Sequence, residues 1–132
     1  MPRPSSPSVD ESYRGERVRV FRLDRERLLA TLGERARALL AASPDVLSVR
    51  LFGSLAEGRA TPGSDADIWV LVRDGAPPFL ERIVTLGRGF AGVGVGCDVI
   101  AFTESEWDEL RRERRRLVKV VEQTGIELAA RA

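Results

Sequence analysis

The chain of 132 residues contains no histidine, one cysteine, one methionine and one tyrosine. Without histidine there can be no His-based triad, no histidine general base and no histidine metal site. Chemistry run at neutral pH must then rest on carboxylates, hydroxyls, arginines or a bound metal. The single Cys97 permits no intrachain disulfide, which fits a reducing cytoplasm. No apolar run approaches the roughly 18 residues of a membrane helix, so no membrane partner is expected. The opening MPRPSSPSVDESYRGE also lacks the apolar core of a secretory signal. Excess charge is missing too: 21 basic against 20 acidic residues leave a net +1. Nothing global therefore draws the protein to nucleic acid.

What remains is a soluble globular composition, long enough for one domain with a real core and too short for two. Proline and serine make residues 1–16 read as a disordered arm, leaving 17–132 as a single domain. RVRVFRL (17–23) alternates enough to predict a short strand. Asp24 then reads as the N-cap of a helix whose Leu28, Leu29, Leu32, Ala36, Leu39 and Leu40 share one face. Ser43-Pro44-Asp45 stops that helix. VLSVRLF (46–52), DADIWVLV (65–72) and VGCDVIAF (95–102) read as strands, and 78–88 as a helix opened by proline. A last helix, capped by Thr103 or Ser105, carries Trp107, Leu110, Leu117, Val118 and Val121 on one stripe, with Gly125 placed to end it. This alternation predicts an α/β (α+β) fold: a small mixed sheet of three to five strands, with helices packed mainly on one face.

Chemistry concentrates in LFGSLAEGRATPGSDADIWV (51–70). Residues i and i+2 of a strand share a face, so Asp65 and Asp67 project side by side. Two adjacent carboxylates repel, and burying one unpaired is costly. A divalent cation between them turns that liability into a binding site. Mg²⁺ suits such hard oxygen ligands and is often completed by substrate phosphates. Asp98 stands within a third apolar strand; if that strand neighbours 65–72, it can face the pair. Three such acids can hold two metal ions for in-line displacement at phosphorus. Gly53-Ser54, at the end of the preceding strand, offers free N–H groups, a hydroxyl and a close backbone approach to a phosphate.

Gly53-Ser54, ten residues, then Asp65-x-Asp67 resembles the GS-x10-D-x-D signature of the DNA polymerase β-like nucleotidyltransferase superfamily. The run GSLAEGRATPGSDADI is most similar to the minimal nucleotidyltransferases, and Asp98 matches their third acid on a later strand. The resemblance implies metal-dependent transfer of a nucleoside monophosphate, AMP from ATP foremost, onto an acceptor hydroxyl. It implies Asp65, Asp67 and Asp98 as catalytic metal ligands for two Mg²⁺ ions, with Mn²⁺ as the alternative. Gly53, Ser54, Arg59 and Ser64 are implied as nucleotide-binding. One position departs: the family often has Arg before the loop glycine, where this chain has Glu57, so Arg59 would have to take over that phosphate contact. A chain of this size resembles the antitoxin half of HEPN/MNT toxin–antitoxin pairs, which implies a helical HEPN-type toxin as protein partner and acceptor. Two alternatives stay open: an aminoglycoside-like small-molecule acceptor handled by a homodimer, or a non-catalytic nucleotide- or partner-binding module.

Other signals are weaker. Gly87-Arg-Gly89-Phe-Ala-Gly92 fits the letter of G-x-G-x-x-G but follows a helix and leads into a strand, the reverse of a dinucleotide site. Cys97 reads as a small core residue, Trp69 and Trp107 as core aromatics. RRERRR (111–116) reads as a solvated helix face, since acids share its helix.

Overall fold

The computed structural model describes the backbone of residues 7–132 except position 62, and the side chains from Asp24 onward with the same exception. Strands β1 (Val46–Phe52), β2 (Ala66–Val72), β3 (Cys97–Thr103) and β4 (Ile126–Ala130) form one sheet in the order β3-β2-β1-β4. Around it lie helices α1 (Pro7–Ala42), α2 (Phe79–Gly87), α3 (Glu104–Arg112) and α4 (Arg116–Thr124). β2 and β3 run parallel, joined by the α2 crossover, while β1 is antiparallel to both β2 and β4.

Alternation along β2 divides the interior. Ala66, Ile68, Val70 and Val72 face one side, where they meet Val49 and Leu51 of β1, Val99 and Ala101 of β3, Leu32 and Ala36 of α1 and Leu86 of α2. Trp69 and Leu71 face the other side and pack with Trp107, Val118 and Val121. There the rings of Trp69 and Trp107 lie 4.9 Å apart, and those of Phe102 and Trp107 5.3 Å apart. The larger core thus sits on the α1/α2 face, and a smaller aromatic one closes the other face under α3 and α4.

Three elements depart from the sequence reading. Residues 17–23 belong to α1 rather than to a strand, so Asp24 lies inside the helix and is not its N-cap. Extending a helix already formed adds a hydrogen bond per residue without a new nucleus, and Arg, Leu and Glu favour it. Of the arm expected over 1–16, residues 1–6 lie outside the described residues, and α1 is assigned from Pro7. The last helix is two: α3 and α4 are separated at Arg114, whose φ of 55° is left-handed. One straight helix over that stretch would run about 32 Å, against about 23 Å for a seven-residue strand. The break lets both halves reach the sheet. After Gly125 the chain returns as β4, unexpected because five residues give too little alternation to read; Ile126 pairs with Leu51.

Thr103 caps α3 in a reciprocal arrangement: its hydroxyl accepts from the Glu106 N–H, and the Glu106 carboxylate accepts from the Thr103 N–H. The same carboxylate takes two bonds, of 2.7 and 3.0 Å, from Arg82. Arg82 is 5% exposed and also donates to the carbonyls of Pro77 and Ala101. Hydrogen bonding from Arg82 holds the Glu106 carboxyl below its ordinary range. Its contribution is therefore complete at neutral pH and is lost as pH falls through the ordinary glutamate range toward the lowered value. Glu106→Ala leaves a buried guanidinium without its counter-charge and removes the cap, so it should cost about 3 kcal/mol in urea unfolding at pH 7. The gap to wild type should narrow as the pH is lowered through that range; a pH-independent gap would contradict the pairing.

Candidate active site

β1 ends at Phe52, opposite Asp67 of β2, and β2 places Asp67 opposite Asp98 of β3. Asp65 lies just before β2. The parity that buries Ala66 and Ile68 puts Asp67 on the opposite face, and the parity of Val99 and Ala101 does the same for Asp98. Asp65 and Asp98 are exposed and Asp67 is half-buried. Burial first, then the charges of Asp98 and Asp65, push the Asp67 carboxyl above its ordinary value. The three acids therefore share one electrostatic neighbourhood.

Glycines make room for them. At Gly53, with φ +78°, an added Cβ would lie 2.3 Å from Asp67 Oδ2. At Gly96 it would lie 2.7 Å from Asp65 Oδ1, and Gly96 needs no left-handed backbone. Only the absence of a side chain at each position lets the backbone run against the carboxylates. After Gly53 the chain closes a turn in which Glu57 N–H donates to Gly53 O and Arg59 N–H to Ser54 O. The N–H groups of Ser54, Leu55 and Ala56 have no acceptor among the described residues. Arg25 of α1 donates to Leu55 O at 2.8 and 3.2 Å, bracing the turn from behind. The Leu55–Ala56 peptide unit is thereby polarised so that its N–H becomes a better donor for an anion.

The residues singled out from sequence divide into two groups. Gly53, Ser54, Asp65, Asp67 and Asp98 come together at the ends of β1, β2 and β3. Arg59 borders the same region but is paired with Glu57, Nη2 to Oε1 at 3.2 Å. Ser64 is occupied in its own loop, where its hydroxyl accepts from Thr61 N–H at 3.0 Å. It lines a different cavity, of about 370 Å³, with Leu28, Leu55 and Val95. Among the described residues no three carboxylates converge into a ready-made cage. The donor set is nonetheless hard oxygen beside free N–H groups, with the two glycines keeping the approach open. That fits a divalent cation escorted by phosphates.

Residues 34–128 match the family model described as a nucleotidyltransferase domain. The chain belongs to the nucleotidyltransferase domain family. Solved structures share the fold of this nucleotidyltransferase domain. A Sulfolobus solfataricus protein, provisionally assigned as a nucleotidyltransferase, aligns with a TM-score of 0.60 at 22% identity, over 82% of this chain and 85% of its own. A toxin–antitoxin structure with AMP-PNP gives 0.54 at 24% identity, over 75% and 73%. A mutant form of the toxin–antitoxin MntA–HpeT gives 0.52 at 22%, over 72% and 69%. No curated protein matches the chain in sequence.

Gly96 and Arg25 escaped the sequence reading of this domain. Gly96 stood in a glycine-rich loop with nothing to distinguish it, though its place two residues before Asp98 was a usable signal. Arg25 acts across 30 residues of chain, and no local pattern announces such a contact. Two outcomes test the geometry. Gly96→Ala should fold with a loss under ~1 kcal/mol, while displacement of Asp65 lowers nucleotidyl transfer ~100-fold or more; a fully active variant would contradict the close approach. Because the Asp67 pKa is raised, its ionised form costs the fold, and that cost disappears as pH falls through the raised value. Asp67→Asn should therefore raise Tm of the metal-free protein at neutral pH, by scanning calorimetry, and the gain should shrink in acid.

Proposed function

We propose that this protein transfers a nucleoside monophosphate, AMP from ATP foremost, to a hydroxyl on a partner protein, a helical HEPN-type toxin. The observation that carries the reading is the register of β1, β2 and β3. It brings the turn at Gly53-Ser54, with its free N–H groups, against carboxylates on adjacent strand ends. Membership of the nucleotidyltransferase domain family supports the reaction class. The toxin–antitoxin structures among the fold's relatives, one of them holding AMP-PNP, support the setting. Among the described residues no helix is long and apolar enough to cross a membrane, and the lone cysteine suits a cytoplasmic protein.

In this mechanism the free N–H groups of Ser54, Leu55 and Ala56, with the Ser54 hydroxyl, bind the outer phosphates and fix the α-phosphorus near Asp67. Asp65 and Asp67 would hold one divalent ion, Mg²⁺ or Mn²⁺, and Asp67 with Asp98 a second. Such ions supply charge neutralisation for the phosphates and a lower pKa for the acceptor hydroxyl. Asp98, exposed at the edge of the site, orients that hydroxyl and accepts its proton. The hydroxyl oxygen forms the new bond to the α-phosphorus, the α–β bridging bond breaks, and pyrophosphate leaves. No histidine is needed.

The test uses the purified chain, Mg²⁺ and ATP labelled at the α-phosphate, added to lysate of its own host and resolved on a denaturing gel. A labelled protein band, absent with Asp67→Asn, is the expected result. Pyrophosphate release without a labelled band would move the acceptor to a small molecule. Absence of release with any of the four nucleotides would overturn the transferase reading.

A further inference from the structure

We infer that Arg116, at the start of α4, is the cation that receives the outer phosphates of the triphosphate, in the place that sequence alone gives to Arg59. The inference rests on the nucleotidyl-transfer reading of the site and adds a binding residue to it. A cavity of about 460 Å³ borders Gly53 and is walled by Phe52, Glu57, Arg59, Arg116 and Thr124. Glu57 engages Arg59 there through bonds of 3.2 and 3.3 Å. Its second oxygen lies 3.5 Å from the Thr124 hydroxyl. The positive charge of Arg59 is thus offset before any phosphate arrives, by an acid that itself repels phosphate.

Arg116 has no such partner. Arg111 pairs with Asp108 and Glu122, and Arg115 with Glu113, whereas Arg116 makes no ion pair or side-chain hydrogen bond among the described residues. Of the charged groups on the cavity wall, Glu57 and Arg59 offset one another, so Arg116 alone makes the wall net positive. An exposed guanidinium with all its donors free matches the paired oxygens of a terminal phosphate. The backbone feature that delivers it is the left-handed turn at Arg114, φ 55°, two residues earlier. A non-glycine residue there carries strain, and without that turn α4 would not start beside Gly53.

Calorimetric titration of the full chain with MgATP, and with magnesium tripolyphosphate as a probe lacking base and sugar, tests the assignment. Arg116→Ala should weaken both on the order of ten-fold, the scale of one charge-assisted contact. KM for ATP should rise by a similar factor with kcat little changed, because the contact is made equally in ground and transition states. Arg116→Lys should recover part of the affinity. Adding Glu57→Gln to Arg116→Ala should recover more, by releasing Arg59. Unweakened binding of either probe by Arg116→Ala would overturn this inference and leave the function standing. Failure of the wild-type chain to bind either probe would overturn both.

Discussion

The parallel ladder between β2 and β3 sets Asp67 directly opposite Asp98, with Asp65 one step away on the same side. Like charges at that spacing oppose folding, and burial adds to the cost at Asp67. The ladder cannot slip to relieve it. A shift of one residue would turn Ile68 and Val70 out of the larger core and Trp69 out of the smaller one. Repulsion is therefore held in place by hydrophobic burial on both faces of the sheet.

Much of the remaining structure keeps that ladder and the turn after Gly53 in position. α2 makes the crossover that parallel pairing requires, and Arg82 ties its start to β3 and α3 through carbonyls and Glu106. On the far side, Arg50 of β1 donates to the carbonyls of Val121 and Gly125, fastening the end of α4 beside the same strand that leads into Gly53. Arg25 of α1 holds the turn itself. Arginine is nearly the only basic residue in this chain, and Arg25, Arg35, Arg50, Arg73, Arg82 and Arg131 all work as planar donors to backbone oxygens, a task lysine would do less well. Arg116 instead lines the cavity beside Gly53.

The strands that carry the candidate site were legible because their signals are local. A glycine-serine at a strand end, two acids at period two and an acid inside an apolar run each need only a few residues to be recognised. The strands they sit on fell within two residues of their expected limits. Features set by distance in the chain were hidden. The split between α3 and α4 has no glycine or proline to mark it; it follows from the need of Trp107 and Val118 to reach one sheet. β4 exists because β1 offers a free edge. Residues 17–23 alternate like a strand but continue a helix. Glu57 was visible as a departure from the family pattern, and the structure gives its consequence, an ion pair that occupies Arg59.

The most direct test is a crystal structure of the chain with Mg²⁺ and a non-hydrolysable ATP analogue. The expected result is a triphosphate on the N–H groups of Ser54, Leu55 and Ala56, with metal density touching Asp65 and Asp67. A nucleotide seated instead in the cavity beside Ser64 and Leu28, with no ion at the aspartates, would contradict the assignment of the active site.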